Sequence, residues 1–389
     1  MKVPFSYIIR SLWTRKLTTI LTLSGISLVT FVFAAVLMLA YGIEQTLIET
    51  GSENNLIILR KGSDAELMSQ IDRNTTNIIK TQPEIMVSAD GKPFASTELY
   101  VIISLTKKQT GTMANISVRG TTAEAMILRP QVKLVEGRMF RFGTSEIIIG
   151  SNVAKRFEGC EIGSQLKFGG GLWTIVGIIN SGGTGFDSEV WADVEQLAPA
   201  FGRPVFSSMI VRLKSDADFR ALKTKIESDR RTNFLEVIRE RDYYKRQSEF
   251  MAAFIRILGT TVTIIFSFGA VIGAMITMYA AVANRTVEIG TMRALGFQRR
   301  SILTAFLLES MFIALVGAAV GIAASSLLQF FMISTINFGS FSELEFGFKI
   351  SPGVIFSTFI FALFMGITGG FLPAARAARL NIVNALRAT

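Results

Sequence analysis

Histidine is absent from the 389 residues. That excludes a Ser-His-Asp triad, an HExxH metal site and any imidazole acid–base chemistry. The single cysteine, Cys160, cannot close an internal disulfide, and CxxC redox or zinc patterns need at least two. A small buried apolar residue is the expected role for it. No G-x-x-x-x-G-K-[ST] run occurs, so nucleotide is not held here in the P-loop manner. Charge is scarce: 18% of residues carry it, against about 25% in a soluble globular chain.

The missing charge is missing in blocks. Stretches 17–43, 257–284 and 350–372 are uncharged, and 302–333 carries only Glu309. Each exceeds the roughly 20 residues that cross a hydrocarbon core. The first follows Arg15 and Lys16 as a signal peptide would. It is about twice the length of a signal h-region and no A-x-A site follows, so a retained anchor is expected. Four transmembrane helices therefore organise the chain, and no catalytic centre is expected in it.

Basic residues near the span ends set the orientation. Lys2, Arg10, Arg15 and Lys16 precede the first span; Arg285, Arg293, Arg299 and Arg300 lie between the second and third; Arg376, Arg379 and Arg387 follow the fourth. Both termini and the 285–301 connector are thus predicted in the cytoplasm. The 44–256 region, close to charge balance, lies outside, with a short external loop over 334–349 and a cytoplasmic tail over 373–389. The net charge of +10 is a topology signal, and no nucleic-acid partner is needed to account for it.

Three GxxxG pairs, Gly269/Gly273, Gly317/Gly321 and Gly366/Gly370, allow close helix approach. They suit either packing inside one protomer or a seam between two copies. Glu309 is the one ionisable residue well inside a predicted span, within reach of water or of Arg299/Arg300. A structural or coupling role is expected, since an ion relay would need several such groups. Phe5, Ile8, Ile9, Leu12 and Trp13 form one apolar stripe, which predicts a helix over 1–16 lying on the inner membrane surface. Segment 284–301 predicts a short helix closed by Gly296 at a left-handed C′ position. Its apolar edge of Ile289, Met292 and Leu295 suggests docking into a groove of another protein.

These residues carry a resemblance. R-x-x-E-I-G-x-x-R-A-L-G from Arg285 to Gly296 resembles the coupling loop of FtsX/MacB-type ABC permeases. Phe306-Leu-Leu-Glu309 with Gly317 and Gly321 resembles that family's third span. Leu372-Pro-Ala-Ala-Arg-Ala-Ala-Arg-Leu-Asn-Ile-Val-Asn-Ala-Leu-Arg387 resembles its C-terminal signature, with Asn381 and Asn384 in place of acids. Val135-Glu-Gly-Arg-Met-Phe140, Glu146-Ile-Ile-Ile-Gly150 and Trp173-Thr-Ile-Val-Gly-Ile178 are similar to the periplasmic core of MacB-type members.

The resemblance implies a permease subunit whose ATPase, with its ATP and Mg, is a separate chain, and which works as a dimer in a bacterial inner membrane. A periplasmic adaptor and an outer-membrane duct accompany some members. Arg285, Glu288, Ile289, Gly290, Met292, Arg293, Ala294, Leu295 and Gly296 would couple to the ATPase. Export or extraction of a substrate is the leading expectation. An FtsX-like regulator of a cell-wall hydrolase and an ATPase-free receptor are the alternatives. An intramembrane protease lacks paired intramembrane aspartates.

The external region reads as α+β. Strands are expected at 55–60, 208–213 and 233–238, the second followed by a helix bearing Phe219, Leu222 and Ile226. Ser63-x-x-Glu66 reads as a capping box for a helix of about 15 residues. The resemblance makes this a ferredoxin-like porter lobe. Short β segments with Gly169-Gly-Gly171 and Gly182-Gly183 predict a small β-rich insert with glycine hairpin turns. Over 239–250, Asp242 and Arg246 stand at i, i+4 on a helix expected to prolong the second span outward as a stalk.

Overall fold

The computed structural model describes residues 16–337 and 339–382, which divide into two compact units. The surface helix expected over 1–16 lies outside the described residues except for Lys16. The tail from 383 onward, with Asn384 and Arg387, lies outside them as well.

The helical unit holds 16–42, 253–331 and 348–382. Its four helices long and apolar enough to cross a membrane are α1 (Lys16–Ile48), α7 (Glu240–Ala283), α9 (Arg299–Ser326) and α10 (Pro352–Arg379). α8 (Thr286–Ala294) is a short helix between α7 and α9. α7 has 44 residues, about 66 Å at helical rise, and extends beyond the apolar run as the stalk reading requires. α10 starts on a Ser351 cap, whose side chain accepts a bond from the Val354 amide, with Pro352 in the first turn.

Glycines set how closely these helices approach. A Cβ on Gly317 would lie 3.0 Å from Ile26 of α1, and one on Gly366 would lie 2.7 Å from Ala314 of α9. Gly321 faces Thr30, and Gly370 faces Ser310. Two of the three expected pairs therefore pack within the protomer. Gly269 and Gly273 differ: nothing lies within 4 Å of a Cβ at either position. They line an apolar groove of about 570 Å³ with Gly25, Leu28, Val32 and Phe266. Gly321→Leu is accordingly expected to cost most of the correctly packed protein in detergent, while Gly273→Leu is tolerated. Size-exclusion profiles and melting curves of the two variants check this.

The external unit holds 43–252 and 332–347. Its ten-stranded sheet runs β10-β1-β9-β2-β3-β8-β5-β7-β4, with β6 paired to β7. The strands are β1 (Asn55–Arg60), β2 (Ala95–Thr106), β3 (Met113–Thr121), β4 (Lys133–Gly137), β5 (Glu146–Gly150), β6 (Gln165–Phe168), β7 (Gly171–Asn180), β8 (Glu189–Asp193), β9 (Ser208–Arg212) and β10 (Leu235–Arg239). With α2 (Arg73–Lys80) and α6 (Asp218–Ser228), strands β1, β2, β9 and β10 form a βαββαβ unit. Their order in the sheet is fourth, first, third, second. That is the expected ferredoxin-like lobe. Its core is Leu56, Ile58, Ile79, Met209, Leu222 and Val237 with their neighbours.

The remaining strands form the β-rich insert between β2 and β9. It carries short helices α3 (Ala125–Leu128), α4 (Ser151–Arg156) and α5 (Val194–Ala200). Gly169 and Gly170, both at positive φ, make the two-residue turn between β6 and β7. Gly182 and Gly183 form instead a loop around a carboxylate: Asp187 accepts bonds from the amides of Ser181 and Gly183. Cys160 lies in the insert's hydrophobic core, and burial pushes its thiol up to about 11.

Three local expectations are corrected. The run over 302–333 leaves helical geometry by Phe330, and residues of the supposed short loop pair as β11 (Met332–Ile336) and β12 (Glu343–Gly347). This hairpin belongs to the external unit, where Glu343 meets Lys107 at 2.9 Å and Arg156 at 2.6 Å. The long helix after Ser63 is a three-residue 3-10 turn, Glu66–Met68, and the helix that follows is capped by Asp72. Glu66 does not cap because its carboxylate is bound to Arg119. Arg246 pairs at 3.2 Å with Glu236 on β10 rather than with Asp242.

Candidate functional site

The segment 285–296 is built as a closed local unit. Arg285 stands at the N-cap of α8, and Gly296 ends it with φ +92°. The Phe297 amide donates to the Met292 carbonyl at 3.1 Å and the Gly296 amide to Arg293 at 3.1 Å. These two bonds are the Schellman closure that the glycine predicts.

The helix has two faces with different duties. Ile289 is 0% exposed and Gly290 is buried. Ile289 packs with Met278, Val282, Ile302, Phe306, Ala374 and Ala377, and Met292 leans on the same cluster. The expected docking edge is thus divided: Ile289 and Met292 belong to the helical core, whereas Leu295 is 67% exposed. Val287, Glu288, Thr291, Ala294 and Leu295 form the outward face. Arg293 is half-buried, with its Nε lacking a hydrogen-bond partner.

Arg285 joins this helix to α9. Its Nη1 lies 3.1 Å from Glu309 Oε2, its Nε 3.4 Å from Glu288 Oε2, and its guanidinium 5.6 Å from the Phe306 ring centroid. Glu309, 7% exposed, therefore meets Arg285, and not Arg299 or Arg300 as its distance from the helix end suggested. Arg285 and Glu309 were each singled out in the sequence, but 24 positions separate them and no spacing rule joins them. A cavity of about 30 Å³ beside Glu309 is lined by hydroxyls including Thr22 and Thr277, whose oxygens are 2.7 Å apart. α8 is thus packed against α7, α9 and α10 on one side and exposed on the other.

The external unit contains a second cluster that sequence reasoning missed. Arg119 spends all five guanidinium N–H groups on Glu66, Glu98 and Glu189. Arg129 bonds Glu98 and Glu240, the first residue of α7. All six are buried. The available signal was a charge within or at the start of an otherwise largely apolar strand, Glu98 in β2, Arg119 in β3 and Glu189 opening β8.

Comparison with known proteins covers both units. Residues 19–229 match the family described as MacB-like periplasmic core domain, and 260–382 match the FtsX-like permease C-terminal family. The macrolide export ATP-binding/permease protein MacB of Agrobacterium fabrum is 27% identical over 404 residues, covering 97% of this chain and 59% of that protein. Its namesake in Escherichia coli is 26% identical with the same coverages. The chain thus spans about three-fifths of the length of these relatives. Among solved structures, the extracellular domain of the noncanonic ABC-type transporter YknZ from Gram-positive bacteria aligns with TM-score 0.36 and 16% identity, covering 48% of this chain and 100% of that one. The periplasmic region of MacB from Actinobacillus actinomycetemcomitans aligns at 0.39 and 12%, covering 52% and 95%.

Proposed function

The chain belongs to the family of ABC permeases that join a MacB-like periplasmic core domain to an FtsX-like permease domain, and we propose that it carries ATP-driven motion across the inner membrane to that external domain. The ATPase acts from outside these 389 residues, docking on Val287, Glu288, Thr291 and Leu295 of α8, with two copies of the permease in the working assembly. Both termini are cytoplasmic. The external domain exports or extracts a substrate, with an adaptor and outer-membrane duct where the cell has them.

The observation that supports this reading is the Arg285–Glu309 contact. It fastens a helix with an exposed, partly apolar face to the packed interior of a membrane bundle. A connector that only reversed the chain direction would need neither feature. The relatives' names, which pair an ATP-binding part with a permease, fit the same division of labour.

The test uses two exposed positions, so that insertion is not at stake. Glu288→Lys and Leu295→Asp are expected to lower stimulation of the co-purified ATPase at least about tenfold, with unchanged membrane yield, as loss of an interface anchor does. Wild-type stimulation and transport in both variants would remove α8 from the coupling path. Co-purification of a cell-wall hydrolase in place of any cargo would turn the reading to regulation.

A further inference from the structure

A small cavity of about 30 Å³ lies within the external unit, between strands β2, β3 and β8, the first two turns of α7, and the β11–β12 hairpin. That is room for one or two water-sized occupants. Its walls are oxygen-rich: hydroxyls of Tyr100, Ser117, Ser188, Tyr244 and Ser342, and carboxylates of Glu66, Glu189 and Glu343. Two of these atoms, the Tyr244 hydroxyl and Glu343 Oε2, are buried without a hydrogen-bond partner, on residues each 5% exposed. Leaving such atoms unsatisfied is costly, so they point to an occupant.

Charge decides which occupant. Arg119 also lines the cavity, as part of a buried network of two arginines, Arg119 and Arg129, against four glutamates, Glu66, Glu98, Glu189 and Glu240. Half-buried Arg212 adds one more positive charge, reaching Glu240 through Asn55. Glu343 and Glu345 are separately matched by Lys107 and Arg156. Negative charge remains in excess. Every N–H of Arg119 is already engaged, so the cavity offers an anion no guanidinium donor. Glu66, Glu189 and Glu343 all line the cavity, but among the described residues they do not form a set placed to hold a divalent metal. An apolar guest would strand the hydroxyls.

We infer that this cavity binds a monovalent cation of the sodium or potassium class, with the Tyr244 hydroxyl and Glu343 Oε2 among its oxygen ligands. Neutral hydroxyls with one or two carboxylates suit such hard, singly charged ions. The bound cation offsets the surplus of carboxylate charge. It also links the hairpin, through Glu343, to the first turns of α7, through Tyr244.

The experiment is thermal unfolding of the full chain in detergent, in sodium, potassium and choline chloride at equal ionic strength. Choline is too large for the cavity and controls for screening. Sodium or potassium is expected to raise the midpoint saturably, by about 5 °C over choline, and thallium soaked into crystals should give an anomalous peak beside Tyr244. Tyr244→Phe separates the alternatives without threatening the fold. If the hydroxyl is a ligand, the variant loses the cation-dependent increment while its midpoint in choline stays at or above wild type. Glu343→Gln should weaken the increment in the same way. Identical wild-type midpoints in the three salts would overturn the inference and leave the cavity to water. An increment that survives in both variants would overturn it as well.

Discussion

Arg129→Ala is expected to unfold the external unit at physiological temperature. Glu98 and Glu240, both 0% exposed, would lose the guanidinium that bonds each of them. Breaking a buried pair from one side costs about 3–5 kcal/mol, set against a total domain stability of about 5–15 kcal/mol. Limited proteolysis and the fluorescence of Trp173 and Trp191 report the loss. Combining Arg129→Met with Glu98→Gln and Glu240→Gln should restore part of it, because no carboxylate is then left without its counter-charge.

The same network fixes the direction of acid sensitivity. Burial raises the Glu66 carboxyl, but the charge and hydrogen bonds of Arg119 outweigh it and hold the group below its ordinary value of 4.5. A carboxylate lowered on folding stabilises the fold above its unfolded value, and the contribution fades as pH falls toward the folded one. The wild-type unit should therefore keep this contribution from neutrality down to about pH 4.5 and lose it only in stronger acid.

The second large effect concerns Arg285 and Glu309. Either Arg285→Met or Glu309→Met removes one half of a buried ion pair inside the helical unit. Each single variant is expected to lose most of its folded yield and nearly all coupling. The double variant should recover yield, since two apolar side chains of similar volume can replace an ion pair at little cost or with a gain. Coupling should not return with it, because the α8–α9 link no longer carries charge-assisted bonds. The milder Glu309→Gln should assemble normally and lower ATPase stimulation several-fold. A double-mutant cycle on yield and stimulation separates the two quantities. Full stimulation in the double variant would reduce the pair to a packing element.

What the sequence made legible and what it hid follow one physical divide. Features fixed by residues close in the chain were readable: the uncharged runs, the Gly296 closure, the Gly169–Gly170 turn, and the strands and helix around Phe219, Leu222 and Ile226. Features fixed by distant partners were not. Ser63-x-x-Glu66 has the form of a capping box, yet Glu66 is drawn into the core by Arg119, 53 positions away. Asp242 and Arg246 have helical pairing spacing, yet Glu236 wins Arg246. The alternation Glu343-Leu-Glu-Phe-Gly347 is strand-like, but its pairing depended on a turn that a short loop between two membrane helices did not suggest. At the candidate site, the outward residues Glu288 and Leu295 and the glycine stop were legible. The burial of Ile289 and the choice of Arg285 by Glu309 required the packed bundle.

The place where α1 and α7 enter the sheet has a mechanical consequence. β1 begins shortly after α1, β10 runs directly into α7, and the two strands are antiparallel neighbours with Leu56 opposite Arg239. A force that spread the two helices would pull on adjacent ends of this pair, loading its hydrogen bonds one after another from Leu56–Arg239 inward, as a zipper opens. Strands held that way resist far less than strands sheared along their length. Glu240 sits at the first tooth: its carboxylate takes bonds from the Ser52 amide at 3.0 Å and the Asn55 side chain at 2.9 Å, and Arg129 grips it from the sheet. Spreading α1 from α7 would therefore have to break the bonds of Glu240 before it reached the first rung of the β1–β10 pair.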